Sequence, residues 1–184
     1  MVDTDDLVAQ CVAAVTETEP RLAVKEVLAR AVDRRDPAHP GTGFGGHIGF
    51  RVLHRAPDVT VLDVVWPPTA SILPHDHRMW AVIGIYQGQE DNTFFRREGT
   101  TIVESGRRAW GERDVYVLGD DVVHGIHNPH RTATGGIHVY GGDLIGIARS
   151  QWTGTPLAEE PYDFDESQRE FERAAARART ITPP

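Results

Sequence analysis

A mainly β fold, a barrel or sandwich of about eight strands with helices at both ends, follows from three observations on this chain. From His47 to Ser150, short runs rich in Val, Ile, Tyr and Phe recur between turn residues. Ahead of them, residues 2–34 repeat apolar positions at helical spacing. Behind them, "DESQREFERAAARART" has the composition and alternating charge of a surface helix. Strands that follow one another at this spacing, with no helices between, close on themselves or stack in two sheets.

Taken in order, Leu7, Cys11, Val12 and Val15 lie on one helical face and Val24, Val27 and Leu28 on a second, with "TETEP" breaking the two. These predict a helical segment over residues 1–36. "DPAHPGTGFGG" can continue neither helix nor strand and predicts a loop. The β core then spans residues 45–150 through "IGFRVLH", "VTVLDVVW", "MWAVIGIYQG", "NTFFRR", "TTIVESG", "RDVYVLG", "GIHVYGG" and "LIGIARS". A C-terminal helix is predicted over residues 160–180, before a Pro-Pro tail, and residues 1–184 together make one domain.

Composition narrows the function classes. The chain has 184 residues, 40% hydrophobic and 25% charged, with no apolar run long enough to span a bilayer. Its acidic N-terminus lacks the basic and apolar regions of a secretion signal, so a cytoplasmic location is expected. A net charge of -8 opposes nucleic-acid binding. The single cysteine, Cys11, can form no internal disulfide and is expected to pack in a helix. Trp66 and Trp110 are expected as core aromatics.

Nine histidines are present, and their placement carries information. In "PHDH", His75 and His77 are two apart, so on an extended chain they project from one face and can reach one point. The competing reading is a pair of surface histidines in a turn. Further on, "GDDVVHGIHNPH" brings His124, His127 and His130, any of which could add a third imidazole from a facing strand. Spacing alone leaves that choice open.

A Gly/Pro turn, His-x-His and an apolar strand closing on Gly88, followed by Gly119, His124 and Asn128, resemble the paired motifs of the cupin double-stranded β-helix, a jelly-roll barrel. Within that superfamily the chain is most similar to the cysteine dioxygenase (thiol dioxygenase) family. "WPPTASILPHDH", "HGIHN" and "GIHVYGGDL" carry the likeness over residues 45–150. The resemblance implies that His75, His77 and His124 hold Fe(II), with His127 and His130 as bystanders. Many cupins add a carboxylate five residues after the second histidine, a position occupied here by Val82, so the face is neutral. The family's Ser-x-His-x-Tyr triad is matched by His138 and Tyr140, with Gly136 in place of the serine, which truncates the relay. Tyr140, oriented by His138, would hydrogen-bond to bound dioxygen; the plain alternative is a half-buried strand aromatic. The cysteine that cross-links to this tyrosine in animal members is also matched by Val82.

The family binds the substrate carboxylate through an arginine on the strand before the first motif, where Arg51 and Arg55 stand. Arg78 and Trp80 follow the ligands directly, where a long cation can bind an acidic substrate and an indole can wall the pocket. Arg96, Arg97, Arg107 and Arg108 read as a solvated hairpin edge, and Gly141 and Gly142 as a backbone bend. The expected function is oxidation of a small thiol, cysteine or 3-mercaptopropionate in type, by O2 to a sulfinic acid. The rivals are a cupin enzyme of another metal chemistry, such as a carbon oxygenase, isomerase or hydrolase, and a non-catalytic metal or small-molecule binder.

Overall fold

The computed structural model of the protein describes residues 4–33 and 47–181; the loop expected over residues 36–46 and the Pro-Pro tail lie outside them. Two helices, α1 (Thr4–Ala14) and α2 (Pro20–Asp33), precede eleven strands. These are β1 (Gly49–Arg55), β2 (Thr60–Trp66), β3 (Ser71–Asp76), β4 (Ala81–Gln87), β5 (Gln89–Glu98) and β6 (Thr101–Gly111). They continue as β7 (Val115–Leu118), β8 (Val123–His127), β9 (Thr134–Tyr140), β10 (Ser150–Thr153) and β11 (Ala158–Pro161), before α3 (Phe164–Ile181).

The strands form a five-stranded sheet, β1-β2-β9-β4-β7, and a six-stranded sheet, β11-β10-β3-β8-β5-β6, with every pairing antiparallel. From β3 to β10 the chain passes repeatedly from one sheet to the other, so β3 pairs with β8 in one and β4 with β7 in the other. Two outgoing strands and two returning strands thus wind together as a double-stranded β-helix. No described helix is long and apolar enough to cross a membrane.

Strand alternation separates a core inside the barrel from one under the helices and a small third cluster around Ile102, Val123 and Trp152. On β4, Ala81, Ile83 and Ile85 pack inside the barrel with Leu62, Val64 and Trp66, while Val82 and Tyr86 pack outward against α1 and α2. A strand buried on both faces explains the unbroken apolar run after the histidine pair. Gly84 is the close approach: a Cβ there would stand 3.1 Å from Val32 Cγ1 and 3.2 Å from Leu28 Cβ. Phe171 of α3 closes one end of the barrel against Phe50 and Trp66, with ring centroids 4.6 and 4.9 Å away.

Several expectations change at this level. The run at residues 144–150 is no strand but a turn over residues 144–147 that leads into β10 at Ser150, because Asp143 folds the chain back by accepting from the Gly146 and Ile147 amides. Strands β3, β8, β10 and β11 do not show in the apolar pattern, and they carry the β structure out to Pro161. The C-terminal helix begins at Phe164, not at residue 160, and its exposed face bears the Glu166–Arg169 and Glu170–Arg173 pairs that its charge pattern implied. Cys11 and Trp66 are buried as expected, and burial pushes the Cys11 thiol up to about 12. Trp110 is half-buried, stacked on Tyr116 at 3.7 Å.

Candidate metal centre

His75 stands opposite His124 in the β3–β8 ladder, next to a register shift between Ile72 and His75. Asp76, between the two motif histidines, projects to the other face of the chain. There it is fully buried and accepts from the Ser150 amide at 2.8 Å, from Arg78 Nε at 2.6 Å and from the Arg97 guanidinium. One carboxylate thereby joins β3 to β5 and β10, and with period two the flanking imidazoles turn into the barrel. The chain leaves this clamp through Arg78, whose left-handed φ of 58° swings it toward β4.

The three Nε2 atoms of His75, His77 and His124 converge: His77 lies 3.2 Å from His75 and 3.3 Å from His124. His75 Nδ1 is 2.9 Å from the Leu73 carbonyl and His124 Nδ1 is 2.6 Å from Asn92 Oδ1. Oxygens of this kind only accept, so both Nδ1 atoms carry the hydrogen and both Nε2 atoms present bare lone pairs. Burial first, and then the charge of Arg149, lowers the His75 imidazole to about 3. Burial and the neighbouring histidines hold His77 and His124 well below the ordinary range. Neutral imidazoles with lone pairs aimed at one another repel unless a cation lies between them. The donor set therefore fits a divalent transition ion with three nitrogen ligands.

No carboxylate joins this group among the described residues. Position 82 faces the helices, so the side chains that β4 presents inward are Ala81 and Ile83, both apolar. The neutral face thus follows from a different pair of residues than Val82. His127 and His130 are exposed, and His127 meets Ser71 Oγ at 2.9 Å outside the cavity.

His138 and Tyr140 share the inner face of β9 and line the cavity. Their Nδ1 and Oη atoms are 3.2 Å apart, and the Tyr140 ring meets the His77 ring edge-on at 5.0 Å. Burial pushes the Tyr140 hydroxyl above its ordinary range. Where Gly136 leaves no side chain, His138 Nε2 faces Glu90 Oε1 at 3.4 Å, from across the barrel. Glu90 lies in "YQGQED", where sequence offers no link to the histidines.

Arg51, Arg78 and Trp80 do not line this cavity. Arg51 alternates outward on β1 and donates to the buried Asp63 at 3.0 Å. Arg55 pairs with Asp143 at 2.7 Å. Arg78 is held by Asp76 and extends toward Glu159 at the surface. Trp80 lies against Gly141, which has no side chain to exclude it, and packs with the helix-side core. The arginine that does line the cavity is Arg149. It is 8% exposed, its Cζ is 3.4 Å from the centroid of the Tyr162 ring, and one Nη donates to the Asp76 carbonyl at 3.3 Å. Nothing in "LIGIARS" marks it, because its place depends on how the turn after Tyr140 returns the chain to β10.

No protein-family model matches the chain, and no curated protein matches it. Solved structures similar to it include an RmlC-like cupin family protein with a double-stranded β-helix fold from Methanocaldococcus jannaschii. That match has 14% identity over 55% of this chain and 85% of the other, with a TM-score of 0.45. An uncharacterised conserved protein with a double-stranded β-helix domain from Klebsiella pneumoniae has 15% identity over 65% and 87%, with a TM-score of 0.44. A variant of oxalate decarboxylase from Bacillus subtilis has 14% identity over 50% of this chain and 23% of its own, with a TM-score of 0.41. The fold assignment rests on the strand order above, and the site on its own geometry.

Proposed function

We propose that the protein is a mononuclear non-haem iron(II) dioxygenase that oxidises a small, carboxylate-bearing thiol with O2 to the sulfinic acid. The observation that carries this reading is a buried arginine, Arg149, lining the same cavity as three converging neutral imidazoles. Iron(II) bound by His75, His77 and His124 would supply the electrons and the open positions at which thiolate and dioxygen meet. Three neutral ligands leave the ion's charge uncompensated, which favours an anionic sulfur over a neutral one.

Arg149 is anchored from two sides, by Tyr162 beneath its plane and by the Asp76 carbonyl at one nitrogen. Its remaining donors form a fork suited to a carboxylate. Leu62, Ile83 and Leu144 supply an apolar wall that limits the length of the substrate. Tyr140, on β9 between the strands of Leu62 and Ile83, is a polar group of the same sheet, able to hydrogen-bond to a bound ligand. In the net reaction R–SH and O2 combine to R–SO2H, so both oxygen atoms of one dioxygen end on sulfur.

Oxygen uptake by the iron-loaded protein with cysteine, 3-mercaptopropionate and cysteamine tests the reading. Uptake with a carboxylate-bearing thiol, and a sulfinic acid carrying both labels from 18O2, is the expected result. Losing a hydrogen bond to a charged group costs about 1.5–3 kcal/mol, so Arg149→Ala should raise KM for carboxylate thiols roughly tenfold to a hundredfold. Cysteamine, which has no carboxylate, should not respond to that change. Absence of uptake with every thiol would overturn the reading and favour other metal chemistry in the same barrel.

A further inference from the structure

We propose that Glu90 is a positioning residue that holds His138 as the Nε2–H tautomer, so that the Tyr140 hydroxyl donates to His138 Nδ1 and turns its oxygen lone pairs toward the ligand. The inference concerns the protein's own hydrogen bonds, and it rests on the proposed function only for its consequence in turnover.

Glu90 is fully buried inside the barrel, where an unpartnered carboxylate would be costly. Its Oε1 accepts from Trp66 Nε1 at 2.5 Å and its Oε2 from the Tyr116 hydroxyl at 2.7 Å. Both are neutral donors, and a buried carboxylate among apolar strands adds less stability than a hydrophobic residue of its size. Burial alone would raise its carboxyl, but His138, Tyr116 and Trp66 together hold it below the ordinary value. As an ionised group it can only accept.

His138 Nε2, 3.4 Å from Glu90 Oε1, has no other hydrogen-bonding partner among the described residues. The position two residues before His138 cannot supply one: Gly136 has no side chain, and a Cβ there would stand 3.3 Å from this same nitrogen. A nitrogen facing only a carboxylate carries its hydrogen. In the neutral ring Nδ1 is then bare, and the hydroxyl 3.2 Å away is the donor that meets it. With its hydrogen committed inward, Tyr140 offers the cavity an acceptor, suited to a ligand that brings a proton, such as an ammonium group or a metal-bound water.

Long-range proton–nitrogen correlation spectra of the 15N-histidine-labelled, zinc-loaded protein test this directly, with His138 assigned by its loss in H138Q. The wild type is expected to give the Nε2–H pattern for His138. Glu90→Leu, which keeps the bulk and removes the acceptor, is expected to convert that pattern to the Nδ1–H form or a mixture. A wild-type His138 in the Nδ1–H form, or an unchanged pattern in Glu90→Leu, overturns the proposal; if that variant does not fold, the wild-type spectrum decides alone. In the iron enzyme, Glu90→Leu should lower kcat about tenfold to a hundredfold with little change in KM. The zinc form does not turn over, so the tautomer can be read even in a protein that oxidises no thiol.

Discussion

Three neutral imidazoles kept side by side in a dry interior have a cost that appears as acid sensitivity. Unfolded histidines take up protons as pH falls below 6.5, whereas folded His75 does so only near about 3 and its two neighbours stay well below their ordinary range. The unfolded state therefore binds more protons throughout that window, so stability is fully present above pH 6.5 and declines as pH falls toward 3. Urea titrations of the metal-free protein should show the decline, and His124→Gln should make it shallower; a midpoint independent of pH down to about 4 would contradict it. At this scale His75 and His77 are legible in the sequence because their two-residue alternation survives in any strand, whereas His124, His138 and Tyr140 are legible through the resemblance of their motifs to a known family. Arg149 and Glu90 are not. Arg149 lines the cavity from the turn after β9 and Glu90 meets His138 from β5, and only the strand order brings them in.

Element by element, the apolar pattern reads most clearly the strands that are buried on both faces. β2, β4 and β9 are legible because they lie in the middle of the five-stranded sheet, covered by helices on one side and by the barrel interior on the other. β3 is not, because "SILPHD" places the polar His75 at an inner position and carries Pro74 at a register shift. "LIGIARS" misleads in the opposite sense, its apolar residues serving a turn anchored by Asp143. Asp76 joins three of these strands, and its arginine partners are partly exposed and can be rehydrated once released. Asp76→Asn should therefore cost about 2 kcal/mol, at the lower end for a buried ionic partner, and should also weaken metal affinity by freeing the strand that aims His75 and His77. Denaturant melts together with metal titration check this; unchanged affinity in a folded variant would show that the ligands are aimed without the clamp.

For the molecule as a whole, the helices and the barrel divide the work. α1 and α2 cover the outer face of one sheet, α3 closes an end of the barrel, and the interior holds an apolar core and the three converging histidines, with Arg149, His138 and Tyr140 lining the same cavity. An ion that binds only the folded arrangement adds stability in proportion to the logarithm of its concentration over its dissociation constant, so metal loading and folding are linked. Metal analysis of the purified protein beside His124→Ala tests the central claim most directly. The expected result is about one divalent ion per chain in the wild type and its loss in the variant, which removes one of three ligands. Full metal occupancy in His124→Ala would contradict it.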